Sequence, residues 1–281
     1  MMQLGIHIGT FRRSTLEEPL HAVQSYGLGC VHFNFKAVGR ESMPDAIDDA
    51  LSASIRQRIA VRGLAMGTVS GTFNMIHPDP QVRQHGFERL AVLASAARRL
   101  GTSVITLCTG TRDPHDMWRR HPDNDTPQAW SDLVEAMSRA VEIAERHDVT
   151  LGIEPEVSNV VDSAAKARRL LDAIGSPRVR IVMDGANLFH AGQLARMHEI
   201  LDEAFDLLGP DIALGHAKDL DRDGEAGQVA AGKGLLDYDH YLALFHKVGF
   251  RGPLILHSLE EADVPGSVSM LQGKLARLPA R

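Results

Sequence analysis

The sequence predicts an α/β fold, a single (β/α)8 barrel spanning residues 1–281. Three observations carry this reading. Short apolar runs alternate with stretches of helical periodicity eight times along the chain. Four consecutive runs end on a residue able to bind a metal: 149–153 on Glu154, 179–183 on Asp184, 212–215 on His216 and 253–256 on His257. These residues lie 30, 32 and 41 positions apart, and one strand plus its crossover helix takes roughly 30 residues. The length, 281 residues, is also close to the roughly 250 of one such barrel.

The elements follow in order. Residues 4–9 read as the first strand. Ser14-Thr15-Leu16-Glu17 reads as a capping box that opens a helix to about 26, closed by Gly27 and Gly29. Strand two is 30–35, with alternation, and 46–60 has helical spacing. Strand three, 62–69, leads into Ser70-Gly71-Thr72-Phe73-Asn74; the amphipathic helix 80–100 ends at Gly101. Strand four is 104–108. The polar stretch 109–127 is long for a compact domain, which points to a lid, and helix four follows at 129–147. Strand five stops at Glu154 because Pro155 cannot donate to a ladder. Asp162 or Ser163 caps helix five, which ends near Gly175. Strand six ends at Asp184, helix six is 193–208, and Gly209-Pro210 marks a turn. Strand seven ends at His216, 219–237 is a Gly-rich loop, and helix seven is 239–248. Strand eight ends at His257, and Pro265-Gly266 opens the last helix, to about 278. A doubly wound sheet would carry a Gly-rich nucleotide loop after its first strand. Gly9-Thr10-Phe11-Arg12 is not one.

The formal charge is −6 with no basic block. That argues against nucleic acid as a partner, since phosphate contacts need clustered Lys and Arg. Cys30 and Cys108 read as buried thiols of a reducing compartment, not a disulfide. The N-terminal stretch lacks the basic and apolar regions of a signal peptide, and no apolar run reaches the ~20 residues of a membrane span. A cytoplasmic protein is expected, and a homo-oligomer is compatible with the sequence.

Glu154, Asp184, His216 and His257 together offer two carboxylates and two imidazoles to one divalent cation. The nitrogen content favours Mn, Fe, Co or Zn over Mg or Ca. Other residues lie near the predicted mouth. Glu156 either orients a ligand and binds a hydroxyl, or is a solvated loop carboxylate. Lys218 either stabilises a developing oxyanion or pairs with Asp219. His7 and Asn34 are expected to point from strands one and two toward the mouth, as substrate contacts or as polar core residues. Arg112, His115 and Trp118 lie in the long loop, where Trp118 either stacks on a sugar face or anchors the loop. Gly232-Lys233-Gly234, after strand seven, either holds a phosphate or shapes a tight turn.

The chain resembles the sugar isomerase/epimerase superfamily with a xylose-isomerase-like TIM barrel. Its relatives include ketose epimerases, inosose dehydratases, hydroxypyruvate isomerases and apurinic-site endonucleases. The resemblance rests on Ser70-Gly71-Thr72-Phe73-Asn74, Leu100-Gly101, Gly152-Ile153-Glu154-Pro155, Met183-Asp184, His216-Ala217-Lys218-Asp219, Gly232-Lys233-Gly234 with Asp237-Tyr238, and Gly252-Pro253-Leu254-Ile255-Leu256. It implies that Glu154, Asp184 and His216 bind one metal, with glutamates also serving as acid and base. Two positions depart from the pattern. His257 stands where the family has a strand-eight Glu, with Glu260 and Glu261 just beyond. Asn187 replaces a His that many members carry, and is read as a substrate contact.

The expected activity is metal-dependent isomerisation or epimerisation of a sugar, polyol or related keto compound, by proton abstraction beside a metal-bound carbonyl. Glu154 is the first candidate base and His257 the second. Dehydration of a keto-polyol is the alternative outcome of the same first step. An apurinic-site endonuclease would need a histidine-rich multi-metal cluster and a basic groove. A non-catalytic sugar-binding protein would need no proton-transfer residue.

Overall fold

The structure, a computed structural model, describes residues 2–279. Its strands are β1 (Gln3–His7), β2 (Cys30–Phe33), β3 (Ala65–Ser70), β4 (Val104–Cys108), β5 (Thr150–Glu154), β6 (Val179–Met183), β7 (Ile212–Asp219), β8 (Val229–Ala230) and β9 (Pro253–Leu256). Eight of these run parallel in the order β6-β5-β4-β3-β2-β1-β9-β7, and the β6–β7 pairing closes the barrel. The short β8 lies outside the ring, antiparallel to the end of β7 through Lys218↔Ala230. Outside the strands stand α1 (Glu17–Ser25), α2 (Asp49–Ala60), α3 (Pro80–Leu100), α4 (Pro127–His147), α5 (Ala164–Ile174), α6 (Met197–Leu208), α7 (Tyr238–Lys247) and α8 (Val264–Leu275). The (β/α)8 reading therefore holds. Cys30 and Cys108 are free and buried. Among the described residues no helix is long and apolar enough to cross a membrane.

Several boundaries differ from the sequence reading. Thr15 donates to Glu18 Oε2 from its hydroxyl (2.9 Å) and its backbone N (3.2 Å), while Leu16 is the N-cap of α1 and makes no side-chain cap bond, so the expected reciprocal Ser14–Glu17 box does not form. Strand three starts at Ala65, because 61–63 complete the turn after α2 and Gly63 takes φ +69°. Ser163 caps α5 by accepting from Lys166 N. Asp162 instead takes Lys166 Nζ at 2.9 Å and Arg120 Nη1 at 3.1 Å. The greatest change is in strand seven, which continues past His216 to Asp219 because β8 extends its ladder.

The helices cover the barrel with small and branched apolar faces. In α3, Leu90, Leu93, Ala94, Ala97 and Leu100 are all buried, at the i, i+3, i+4, i+7 spacing of one helix stripe. Inside the barrel, Cys30, Val182, Leu214 and Ile255 form a separate apolar cluster. Glycines in the same region give these side chains room. A Cβ on Gly5 would lie 2.4 Å from Cys30 Sγ and 2.7 Å from Ile255 Cδ1, and one on Gly152 would lie 2.8 Å from Val182 Cγ2. Successive strand side chains point to opposite faces. Two residues beyond the cluster, the same inward face carries His32, Asp184, His216 and His257.

This inner cluster predicts a concentrated stability effect. Truncating a buried isoleucine costs about 2–5 kcal/mol, so Ile255→Ala should lower the melting temperature by roughly 5–15 °C. Calorimetric melting checks this. A variant that melts with the parent would show that the interior cluster is not tightly packed.

Candidate metal centre

Glu154 is the last residue of β5, and Pro155 ends the ladder there. Asp184 follows β6 and N-caps the short turn Gly185–Asn187, its Oδ1 accepting from Ala186 N at 3.0 Å. That leaves Oδ2 aimed away from the cap. Asn187 closes the same turn and donates from Nδ2 to Glu154 Oε1 at 2.7 Å. His216 and Lys218 share the inward face of β7.

These residues converge. Glu154, Asp184 and His216 each offer a donor atom, and the three atoms lie within 4.8 Å of one another. His216 Nδ1 is 3.3 Å from Glu154 Oε1 and 3.5 Å from Asp184 Oδ2. Lys218 Nζ is 3.4 Å from Asp184 Oδ2. Neither contact to Oδ2 has hydrogen-bond geometry: Asp184 Oδ2 and His216 Nε2 are buried polar atoms without a partner. Two oxygens and a nitrogen, with unsatisfied buried lone pairs, suit a transition-metal ion with open positions. The set can therefore hold a metal.

His257 is not in that set. Its ring stacks on His216, with centroids 5.1 Å apart and planes 7° apart, and its Nδ1 pairs with Ser258 Oγ at 2.8 Å. His7 packs edge-on against His257 (5.4 Å) and His32 (5.0 Å), and His32 stacks with His216 at 5.9 Å. Four imidazoles thus form a closed ring of contacts beside the carboxylates. The sequence reading passed over His32. Its Nε2 pairs with Thr106 Oγ1 at 3.2 Å, and its Nδ1 is buried without a partner. Alternation from Cys30 was the available signal. Asn34, expected at the mouth, instead accepts from Lys36 N (3.0 Å) and donates to Ser42 Oγ (2.7 Å).

Electrostatics separate these groups. Burial, and then the neighbouring charge of His216, lowers the His7 pKa to about 4. His32 and His257 are lowered well below the ordinary histidine value, mainly by burial. Burial would also lower His216, but Glu154 and Asp184 outweigh it and raise the value to about 9. Asp184 is opposed by burial, yet Lys218 and His216 hold its carboxyl below the usual range. Glu156 is buried, with Oε1 unpartnered. Burial, then Glu154, raises its pKa to about 8. It is therefore not the solvated loop carboxylate weighed above. Lys218 is buried and its ion-pair partner is Asp184, not Asp219.

Two tyrosines of α7 anchor the strand ends, a role the sequence does not show. The Tyr241 hydroxyl accepts from Gly185 N (3.2 Å) and shares its proton between the carbonyls of Met183 (2.9 Å) and His216 (3.1 Å). Tyr238 donates to Lys218 O at 2.8 Å. In the long loop, Arg112 pairs with Asp132 and donates to Ile76 O at 3.1 Å, which makes it an anchor. Trp118, in the same loop, is exposed, and its backbone N donates to Asp116 Oδ1.

Fold and site together define a strand–helix barrel that carries a carboxylate–carboxylate–imidazole cluster at its C-terminal mouth. The chain belongs to the xylose isomerase-like TIM barrel family, whose model matches residues 20–272. It is similar to L-ribulose-5-phosphate 3-epimerase UlaE of Shigella flexneri serotype 5b, at 24% identity over 211 residues, 73% of this chain and 69% of that one. For another enzyme of that name, from Escherichia coli O157:H7, the matched share of its length falls to 59%. Among solved structures, an L-ribulose 3-epimerase superposes with TM-score 0.71 at 19% identity, covering 100% of this chain and 88% of that one. The IolI protein with a bound zinc atom superposes with TM-score 0.71 at 16% identity, covering 98% and 97%.

Two outcomes follow from the cluster. Near-stoichiometric transition metal should survive mild dialysis in the parent and be largely lost in Asp184→Ala; equal metal content by elemental analysis would remove the site. Chelator-treated protein should also respond to pH. The folded pKa of His216 is raised, so its contribution is complete below its unfolded value of about 6.5 and is lost as pH rises toward about 9. Stability of the stripped parent should therefore fall across that window in urea titrations. A flat profile, or the same slope in His216→Gln, would contradict this.

Proposed function

We propose that this protein is a divalent-metal-dependent epimerase or isomerase of a keto sugar or polyol, acting by proton transfer at the carbon beside the carbonyl. The observation that carries the reading is the state of Glu154. Its Oε1 is engaged by Asn187 and His216, while Oε2 accepts no hydrogen bond among the described residues. The side chain is partly exposed, so that oxygen is open to the mouth. A carboxylate fixed by one oxygen and free at the other is a well-placed base.

A bound divalent cation would polarise the substrate carbonyl and acidify the adjacent C–H. Glu154, Asp184 and His216 would hold it. Glu154 Oε2 takes the proton from carbon. The ammonium of Lys218, fixed beside Asp184, faces the charge that develops on oxygen. Glu156, protonated near neutral pH, donates to a substrate oxygen. Asn187 keeps Glu154 aligned. His257 and His7 offer ring nitrogens to substrate hydroxyls, and His257 is the second proton-transfer group, in the position where the family has Glu. Trp118 presents an aromatic face from the loop after β4. Return of the proton to the opposite face gives epimerisation, and return to the neighbouring carbon gives isomerisation. The curated epimerases to which the chain is similar support the first outcome.

The test is solvent exchange. Metal-loaded protein incubated with ketoses and inososes in deuterated water should place deuterium on substrate carbon, and Glu154→Gln should lower the rate by about 10²–10⁴, the usual worth of a general base. Turnover undiminished in that variant would remove Glu154 from the chemistry.

A further inference from the structure

The loop after the seventh barrel strand is a frequent phosphate site in barrels of this kind. Here three of its backbone donors are already used. Asp219 is completely buried. Its Oδ1 accepts from Leu220 N (2.9 Å) and Leu236 N (2.8 Å), and its Oδ2 from Gly232 N (3.0 Å). Backbone N–H groups curled in this way form an anion nest, and the chain's own carboxylate fills it. The loop closes tightly around that carboxylate: a Cβ on Gly234 would lie 2.4 Å from Asp219 Oδ1. Lys233 turns outward and pairs with Asp263. Gly232-Lys233-Gly234 is therefore a turn wrapped around an internal anion.

Beside this loop lies a cavity of about 410 Å³. His7 and His257 line it, and His257 also stacks on His216, so the cavity adjoins the candidate metal centre. Thr10, Gln228 and Ser258 offer hydroxyl and amide groups suited to a polyhydroxylated ligand. The charged lining is Arg12, Glu260 and Asp263, two carboxylates against one guanidinium. Arg12 faces Glu260 at 3.6 Å, and Asp263 is the partner of Lys233. The nearby cations are engaged as well: Arg13 pairs with Glu261 at 2.7 Å, and Lys218 with Asp184.

We propose that this cavity is the subsite for the uncharged, hydroxylated end of the substrate, and that the protein acts on a free keto-polyol in preference to its phosphate ester. The inference rests on the epimerase reading and deepens it. It departs from the phosphorylated substrate in the name of the similar UlaE. A phosphate monoester carries about −1.5 to −2 charges at neutral pH. In this cavity it would meet two carboxylates against one guanidinium, which already faces Glu260.

Calorimetric titration of the metal-loaded protein with matched pairs tests this: L-ribulose and its 5-phosphate, D-fructose and its 6-phosphate. In at least one pair the free ketose should bind roughly tenfold or more tightly than its ester, a difference of about 1.4 kcal/mol. Glu260→Gln combined with Asp263→Asn removes both carboxylates and releases Lys233, so it should narrow the gap, with an unchanged circular dichroism spectrum as the folding control. An ester bound as well as or better than its ketose would overturn the subsite, as would failure of every ketose to bind. Phosphorus NMR of inorganic phosphate with the unmodified protein is a second measurement, and the line should stay sharp. Broadening that disappears in Lys233→Ala would put phosphate on the loop and overturn the proposal. The two readings fail separately. Preferential ketose binding without C–H exchange would sink the epimerase assignment alone, and exchange confined to the esters would sink the subsite alone.

Discussion

A small apolar layer inside the barrel determines where the chemistry falls. Cys30, Val182, Leu214 and Ile255 pack against one another at the centre, and strand side chains alternate with a period of two. The next inward position on each of those strands is therefore fixed as His32, Asp184, His216 and His257. A slip of one residue in any strand would turn its apolar residue outward and its polar one away from the mouth. The parallel pairings hold the register, among them Gly215↔Leu254 and Met183↔Gly215. Gly5 and Gly152 contribute by omission, leaving the volume that Ile255 and Val182 fill.

The polar layer above carries a charge problem, and its arrangement follows from how that is met. Asp184 is fully buried, and an isolated buried carboxylate is strongly disfavoured. Lys218, two residues beyond His216 on the same strand face, supplies one compensating charge. Glu154 adds a second carboxylate to the group, and burial, then the charge of Glu154, makes Glu156 hold its proton to about pH 8. Lys218 alone cannot balance both Glu154 and Asp184. The remaining negative charge is met either by a proton on His216 or by a cation among the three donors. The same imbalance thus raises the basicity of His216 and would favour a cation among the three donors. Tyr241 and Tyr238 keep the geometry by tying backbone groups of Met183, Gly185, His216 and Lys218 to one helix.

Much of this was legible in the sequence, because the barrel repeats one rule. A ligand-type residue closing each of several successive apolar runs shows both topology and site, and Glu154, Asp184 and His216 come together as that rule requires. What stayed hidden depends on contacts distant in sequence. His32 and Asn34 have the same parity on strand two, and only the end of the strand at Phe33 decides that His32 faces inward while Asn34 becomes a turn cap. Tyr241 sits in an apolar helical run and reads as core; its hydroxyl matters because two strand ends arrive beside it. Glu156 follows a proline in a loop, where the sequence leaves a ligand contact and a solvated carboxylate both open. It is buried because 156–161 folds back, with Gly110 N donating to Asn159 Oδ1 (2.6 Å) and Val161 N to Thr109 Oγ1 (3.1 Å). Asp219 reads as a surface partner for Lys218, yet it organises a loop whose donors come from as far along the chain as Leu236.

His257 shows how stacking decides what an imidazole can do. A histidine binds a cation along a lone pair in its ring plane. His216 and His257 lie nearly parallel, 7° apart, with centroids separated by 5.1 Å. The donor atoms that lie within 4.8 Å of one another are those of Glu154, Asp184 and His216, without His257. Reorienting His257 toward the cluster would break its stack on His216 and its contact with Ser258. In this arrangement the chain supplies three donors. His257 stands where the resemblance implies a strand-eight Glu, and that changes the balance of the site. It withdraws a negative charge from an already acidic cluster and gives the neighbouring cavity a neutral wall able to hydrogen-bond.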